Sequence, residues 1–143
     1  MKRPLFHLLM HTGKLLEDRV RKGLSTAGIH HGQGRVLEAI ARNGELSQIE
    51  IAEGLHIERA TVTNMIQRME KNGLIARSKD AGDQRAKRVR LTAAGKRAEA
   101  HVKKVWDEVE RDIRKSIPED MVGPTGEMLT KIRNGLGGAD PDV

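Results

Sequence analysis

The stretch Leu46–Gly73 constrains the fold of this chain more than any other part of it. Ser47, followed by Glu50 three residues later, forms the capping-box pattern that begins a helix. Gly54 is expected to permit a tight turn, and Gly73 is expected to end a second helix in a left-handed conformation. The stretch therefore predicts a helix-turn-helix.

The second of these helices, from about Glu58 to Asn72, has two faces of opposite character. The helical spacing places four apolar residues in one stripe and mostly polar residues on the opposite side. The apolar stripe contains Val62, Met65, Ile66 and Met69, and the opposite face contains Ala60, Asn64, Gln67 and Lys71. In the first helix, Ile49 and Ala52 are expected to face inward. The second helix thus presents a polar outer face.

Two strands are predicted directly after this unit, at Leu74–Ser78 and Lys87–Leu91. In the second strand, alternation places Val89 inward and Arg88 outward. Ala81–Asp83 has the composition of a turn. The two strands are therefore predicted to form a β-hairpin, the wing of a winged helix-turn-helix.

Amphipathic helices are predicted on both sides of the central unit. The spacing of apolar residues predicts helices over Pro4–Ala27 and His31–Arg42, and a long helix that Thr92 caps. The pattern Ser116–Glu119 indicates a second capping box, which opens a last helix. Gly123–Pro124 is expected to kink the first turns of that helix or to separate them. The fold class is mainly α, with a two-stranded β wing.

The 143 residues are predicted to form one domain. Residues 32–92 would form the winged helix-turn-helix region, and residues 1–31 and 93–143 would form dimerisation helices. The long helix carries an apolar seam that includes Val109 and Ile113. We call these two terminal segments the arms. The small winged helix-turn-helix cannot cover the apolar seams of both arms, whereas packing the arms of two chains together would cover them. The sequence therefore predicts a homodimer.

Composition excludes several classes of function. The chain has no cysteine, which excludes disulfides and thiol-based redox sensing and also fits a reducing cytosol. No apolar run approaches the ~20 residues of a membrane span. His7 and His11 interrupt the apolar residues near the start, which argues against a signal peptide. Motifs for phosphate-binding loops, dinucleotide binding and nucleophilic catalysis are absent from the sequence. We therefore expect no enzyme, no cofactor and no membrane association.

The positive charge is concentrated in one stretch of the chain. Residues 59–90 carry nine basic and three acidic side chains, an excess equal to the net charge of +6 of the whole chain. Such a patch beside a helix-turn-helix favours double-stranded DNA as the partner. An RNA or single-strand binder would need aromatic stacking platforms. Phe6 and Trp106 are the only aromatic residues, and neither lies in the basic stretch.

The chain resembles the MarR (multiple antibiotic resistance regulator) family of bacterial transcription factors. The wing carries an aspartate-x-arginine pattern ahead of a strand that ends in Leu-Thr-x-x-Gly. This pattern comprises Asp83–Arg85, Val89, Leu91–Thr92 and Gly95. Thr61–Thr63 and Met69–Ile75 resemble the recognition helix of the family and its exit. The resemblance implies a homodimer with interlocked terminal helices, a pseudo-palindromic operator, repression of transcription and, in many members, a crevice for a small-molecule ligand.

The residues expected to contact DNA lie on the second helix and the wing. In the major groove, Asn64 or Gln67 can make a bidentate contact with adenine, while threonines can bond phosphate or touch a thymine methyl. By resemblance to the wing arginine of the family, Arg85 is expected to enter the minor groove. The full set of expected contacts is Arg59, Thr61, Thr63, Asn64, Gln67, Arg68, Arg85 and Lys87.

A ligand site is expected where the arms meet the DNA-binding region, by the same resemblance. Its candidate residues are His31, Arg35 and Trp106. Two alternatives stay open. His7 and His11 are four residues apart on a helix, a spacing that can bind a metal, so the regulator could respond to a metal ion, although the sequence offers no third ligand. The winged helix could also serve as a protein-interaction module.

Overall fold

The computed structural model describes residues 3–78 and 88–143, in which six helices and three strands follow one another. They are α1 (Leu5–Ser25), α2 (His31–Asn43), β1 (Glu45–Ser47), α3 (Gln48–Gly54), α4 (Arg59–Lys71), β2 (Ile75–Ser78), β3 (Arg88–Leu91), α5 (Ala93–Lys115) and α6 (Glu119–Gly135). The mainly α fold with a small sheet confirms the predicted fold class.

The sheet has three strands rather than the predicted two. β3 lies in the centre and pairs antiparallel with β2 on one side and β1 on the other. Leu46 of β1 and Arg77 of β2 both lie opposite Val89 of β3. β1 is only three residues long and comes directly before α3. Its pairing with β3 connects residues far apart in the sequence, so no local pattern indicated it.

The core forms where the helix-turn-helix, α2 and α5 meet. The predicted stripe on α4 is buried, with Val62, Ile66 and Met69 at 0% exposure. In α3 the predicted inward position of Ile49 is wrong, because its side chain is 49% exposed. Ile51 is fully buried in its place. The Ser47 cap begins the helix at Gln48, and this phase turns residues 51 and 52 toward the core.

The two glycines of the helix-turn-helix act in different ways. Gly73 has a φ of 74°, so it ends α4 in the left-handed region as expected. In the turn between α3 and α4, however, the left-handed residue is His56, with a φ of 54°. Gly54 instead ends α3, in close contact with Val143. Gly54 therefore matters because it has no side chain that would clash with Val143, and its φ is not left-handed.

The beginning of α6 also differs from the predicted capping box. The Ser116 hydroxyl donates to the carbonyl of Asp112 at 2.8 Å, and Pro118 occupies the N-cap position without a side-chain cap. α6 then continues as one helix through Pro124, so its first turns are not separate. The other predicted alternative, a kink at Gly123–Pro124, stays a prediction. Pro124 has no N–H to donate to the Asp120 carbonyl, but Asp120 is exposed and water can take that role.

The two arms leave large apolar surfaces uncovered within one chain. On α1, Leu5 is 72% and Phe6 63% exposed, and on α6, Met128 is 64% and Leu129 50% exposed. None of the residues of α6 is buried. Over the described parts of the chain, no helix combines the length and the apolar character needed to span a membrane.

Candidate nucleic-acid interface

The outward face of α4 is the centre of the candidate interface. Val62, Met65, Ile66 and Met69 anchor the helix in the core, so its opposite side is presented to solvent. Thr61, Asn64 and Gln67 are exposed there. Arg59, at the start of the helix, is 71% exposed and its Nη2 lies 3.5 Å from Glu53 Oε1. Surface ion pairs of this kind are weak, so Arg59 can exchange Glu53 for a phosphate.

Thr63 lies at the edge of this face and takes part in a polar network. Its hydroxyl donates to the Arg59 carbonyl at 3.0 Å and lies 3.3 Å from the Gln48 side-chain amide. The hydrogen bonds of the Gln48 amide are best satisfied when its oxygen faces Arg77. In this orientation the oxygen accepts from Arg77 Nη1 at 3.1 Å and from Nη2 at 3.2 Å. Arg77 Nε donates to Glu70 Oε2 at 2.5 Å. This network joins α3, α4 and β2.

Arg68 lies on the side of α4 that faces α2. Burial lowers the pKa of His30 below its ordinary value, and the positive charge of Arg68 lowers it further. His30 is the N-cap of α2, where its Nδ1 accepts a hydrogen bond from the Gln33 N–H at 3.3 Å. The neutral imidazole can accept this bond, whereas a proton on Nδ1 would remove it. This cap was not predicted from the sequence, because histidine is not among the preferred N-cap residues.

The wing arginines divide into two groups. Arg88 is half-buried, and its Nη2 donates to the Glu45 carbonyl at 3.1 Å while its Nη1 lies 3.5 Å from Glu50 Oε1. It therefore connects β3 to β1 and to α3. Arg90 is exposed on the same strand. The predicted contacts Arg85 and Lys87 lie outside the described residues.

The structure brings two of the three predicted ligand residues together. The His31 and Trp106 rings approach to a centroid distance of 5.5 Å, with an angle of 60° between their planes. Burial lowers the pKa of His31, and the charge of Arg35 lowers it further. The Trp106 Nε1 atom is buried and finds no hydrogen-bond acceptor among the described residues. An indole N–H in this state can donate to an acceptor supplied by a ligand or a water molecule.

The third predicted ligand residue makes a different contact. Arg35 Nη2 donates to the carbonyl of Leu55 at 3.1 Å. Leu55 is the C-cap of α3, so Arg35 ties α2 to the turn of the helix-turn-helix. Within residues 3–78 and 88–143, no three histidine, aspartate or glutamate side chains are grouped closely enough to hold a metal ion.

Comparison with known proteins identifies the family. A family model described as "MarR family" matches residues 29–87. The HTH-type transcriptional regulator FarR of Neisseria gonorrhoeae is 30% identical over 125 residues, which cover 86% of this chain and 81% of FarR. The uncharacterized HTH-type transcriptional regulator YwoH of Bacillus subtilis is 33% identical over 118 residues, 80% of this chain and 85% of YwoH. The chain belongs to the MarR family.

Solved structures of MarR proteins have the same fold. The S. aureus MepR–DNA complex superimposes with a TM-score of 0.85 at 25% identity, over 94% of this chain and 99% of MepR. A mutant E. coli MarR complexed with operator DNA gives a TM-score of 0.80 at 22% identity, over 90% of this chain and 93% of that one. Family membership and the exposed helix-turn-helix together make this MarR protein a DNA-binding transcriptional regulator.

Proposed function

We propose that this MarR protein binds a specific double-stranded DNA operator with the outward face of α4 in the major groove. The observation that carries the proposal is the exposure of Asn64 and Gln67 on a helix whose other side is anchored in the core. Their amides can make bidentate contacts with adenine, and Arg59, Thr61, Thr63 and Arg68 surround them. Arg85 and Lys87 in the wing would contact the adjacent minor groove and the backbone.

The binding unit is proposed to be a homodimer. The exposed apolar side chains of α1 and α6 would be covered by the same helices of a second copy. Residues 1–31 and 93–143 would thus form the dimerisation region, and residues 32–92 the DNA-binding region. Two recognition helices related by a two-fold axis read half-sites about one helical turn apart, so the operator would be pseudo-palindromic. The MepR–DNA and MarR–operator complexes support a role at DNA.

The regulator is proposed to be a cytoplasmic repressor, without enzymatic activity, that a small-molecule ligand releases from DNA. His31, at the start of α2, and Trp106, on α5, bring their rings together, and the buried Trp106 Nε1 can donate to a ligand acceptor. A ligand there would change the separation of the two recognition helices. Since the half-sites have a fixed spacing, a change of a few ångströms would weaken binding.

Selection of bound genomic fragments, followed by footprinting, tests the operator proposal. We expect a protected site with two inverted half-sites whose centres are about 10 base pairs apart, or a multiple of that. Protection of a single, asymmetric site would contradict the dimeric arrangement. Failure to retain any fragment would favour the alternative, in which the winged helix is a protein-interaction module.

Tryptophan fluorescence tests the ligand proposal, because Trp106 is the only tryptophan. Small organic acids and other candidate inducers would be titrated into the protein and into its operator complex. We expect an active compound to change the Trp106 emission and to release DNA over the same concentration range. His31→Ala should weaken both effects together. Release of DNA that leaves the emission unchanged would place the ligand elsewhere.

A further inference from the structure

The tail after α6, residues 136–143, packs through Asp140, Asp142 and Val143 on the turn between α3 and α4 of the same chain. The Asp142 N–H donates to the Gly54 carbonyl at 2.8 Å. The Val143 side chain packs against Gly54 and joins the edge of the core. A Cβ atom at position 54 would lie only 2.5 Å from Val143 Cγ1, so a glycine is needed for the tail to approach this closely.

His56 provides a second attachment for the tail. Its Nε2 lies 3.0 Å from the carbonyl oxygen of Asp140 and can donate to it, and it lies 3.8 Å from Asp142 Oδ2. His56 also has the left-handed φ of 54°. This conformation is unfavourable for a residue other than glycine unless its surroundings hold it in place. The contact with Asp140 is one such restraint.

The other end of the tail is fixed to α6. The Gly138 N–H donates to the Arg133 carbonyl at 3.0 Å, and the Arg133 guanidinium pairs with the Asp140 carboxylate. Gly137, with a φ of 89°, allows the chain to reverse direction after the helix. The tail is therefore held at α6 on one side and at the helix-turn-helix on the other.

We propose that this tail is a strap through which α6 fixes the orientation of the recognition helix. α4 begins at Arg59, three residues after His56, so movement of the turn moves the first turn of α4. Arg35 holds the same turn from α2 through the Leu55 carbonyl. The tail adds a restraint from α6, none of whose residues is buried within the chain. Its loss would give the recognition helix more orientations, and only some of them match an operator.

The test compares Val143→Asp with Ala139→Asp in the full chain. Val143→Asp places a charge against Gly54 and should detach the tail. Ala139→Asp adds the same charge to the same tail at an exposed position, so it controls for electrostatic repulsion of DNA. His56→Gly is a third variant, which removes the ring contact and suits the left-handed conformation. It should therefore detach the tail without destabilising the turn.

Hydrogen exchange of the free protein provides a readout that does not depend on DNA. We expect faster exchange of the amides in residues 54–58 in Val143→Asp and in His56→Gly, and wild-type exchange in Ala139→Asp. Wild-type exchange in Val143→Asp would show that the tail does not restrain the turn, and would overturn the proposal whatever the protein binds.

Affinity for the operator provides the second readout and rests on the proposed function. Val143→Asp and His56→Gly should bind the operator about five- to tenfold more weakly, a size typical of the energetic coupling between two distant sites, here the tail contact and the DNA-binding face of α4. Their binding to a scrambled duplex should be unchanged. Equal or tighter operator binding by a detached variant would overturn the strap. If the wild-type protein binds no DNA, the proposed function and the role of the strap fail together, while hydrogen exchange still shows whether the tail is docked.

Discussion

Gly95, in the first turn of α5, lies directly against the carbonyl oxygen of Leu74. A Cβ atom at Gly95 would be 1.9 Å from that oxygen. The contact arises because Thr92 connects the two segments: its N–H donates to the Leu74 carbonyl at 3.1 Å, and its hydroxyl donates to the Gly73 carbonyl. The end of α4 is thus fixed to the first turn of α5, at a distance that only glycine permits.

Gly95→Ala should therefore destabilise the fold. The clash involves a backbone atom and cannot be relieved by a rotamer change, so we expect a loss of about 1–3 kcal/mol or more in the free energy of unfolding. Gly13→Ala is the matched control, because a Cβ there meets none of the described residues within 4 Å. Alanine is the better helix former, so this variant should be neutral or stabilised by up to about 1 kcal/mol. Chemical denaturation of the two variants measures both effects.

Charged substitutions in α5 should separate folding from dimerisation. Val109 is buried within one chain at 9% exposure, whereas Ile113 on the same seam is 37% exposed. Val109→Asp should unfold the chain, because an unpaired charge would be buried. Ile113→Asp should leave the chain folded and weaken the proposed dimer. Sedimentation and circular dichroism distinguish the two results, and a folded wild-type monomer at micromolar concentration would contradict the dimer.

Stability should fall at mildly acidic pH. Burial lowers the pKa values of His30 and His31 below the ordinary 6.5, so the unfolded chain takes up protons more readily than the folded one. The free energy of unfolding should therefore decrease as the pH falls below about 6.5 toward the folded-state values. His30→Asn keeps a competent N-cap without a titrating group, and should make this decrease smaller. An equal decrease in the variant would show that His30 does not contribute.

Local patterns predicted much of the fold. The Ser47–Glu50 capping box is present with both hydrogen bonds, at 3.1 and 3.0 Å, because it depends only on residues within one turn. The buried stripe of α4 was predicted because α4 is continuous and packs on one side only. At Ser116–Glu119 the same capping-box pattern occurs in the sequence, but α6 begins two residues later than a Ser116 cap requires.

Contacts between distant residues were not predictable. β1 forms through its pairing with β3, and the Arg35–Leu55 bond and the tail contact with Gly54 join segments whose proximity depends on the whole fold. The positions of Asn64 and Gln67 on an exposed face followed from helical periodicity. Their predicted role at base edges follows from the chemistry of the side chains and stays a prediction.

The most direct test of the account is the affinity of Asn64→Ala and Arg85→Ala for operator and scrambled duplexes at several salt concentrations. Asn64→Ala should lose about 1–3 kcal/mol on the operator and relax the preference at one position in each half-site. Arg85→Ala should weaken binding to all sequences alike and reduce the salt slope by about one. If Arg85→Ala abolishes discrimination while Asn64→Ala retains it, α4 does not read the major groove and the central claim is wrong.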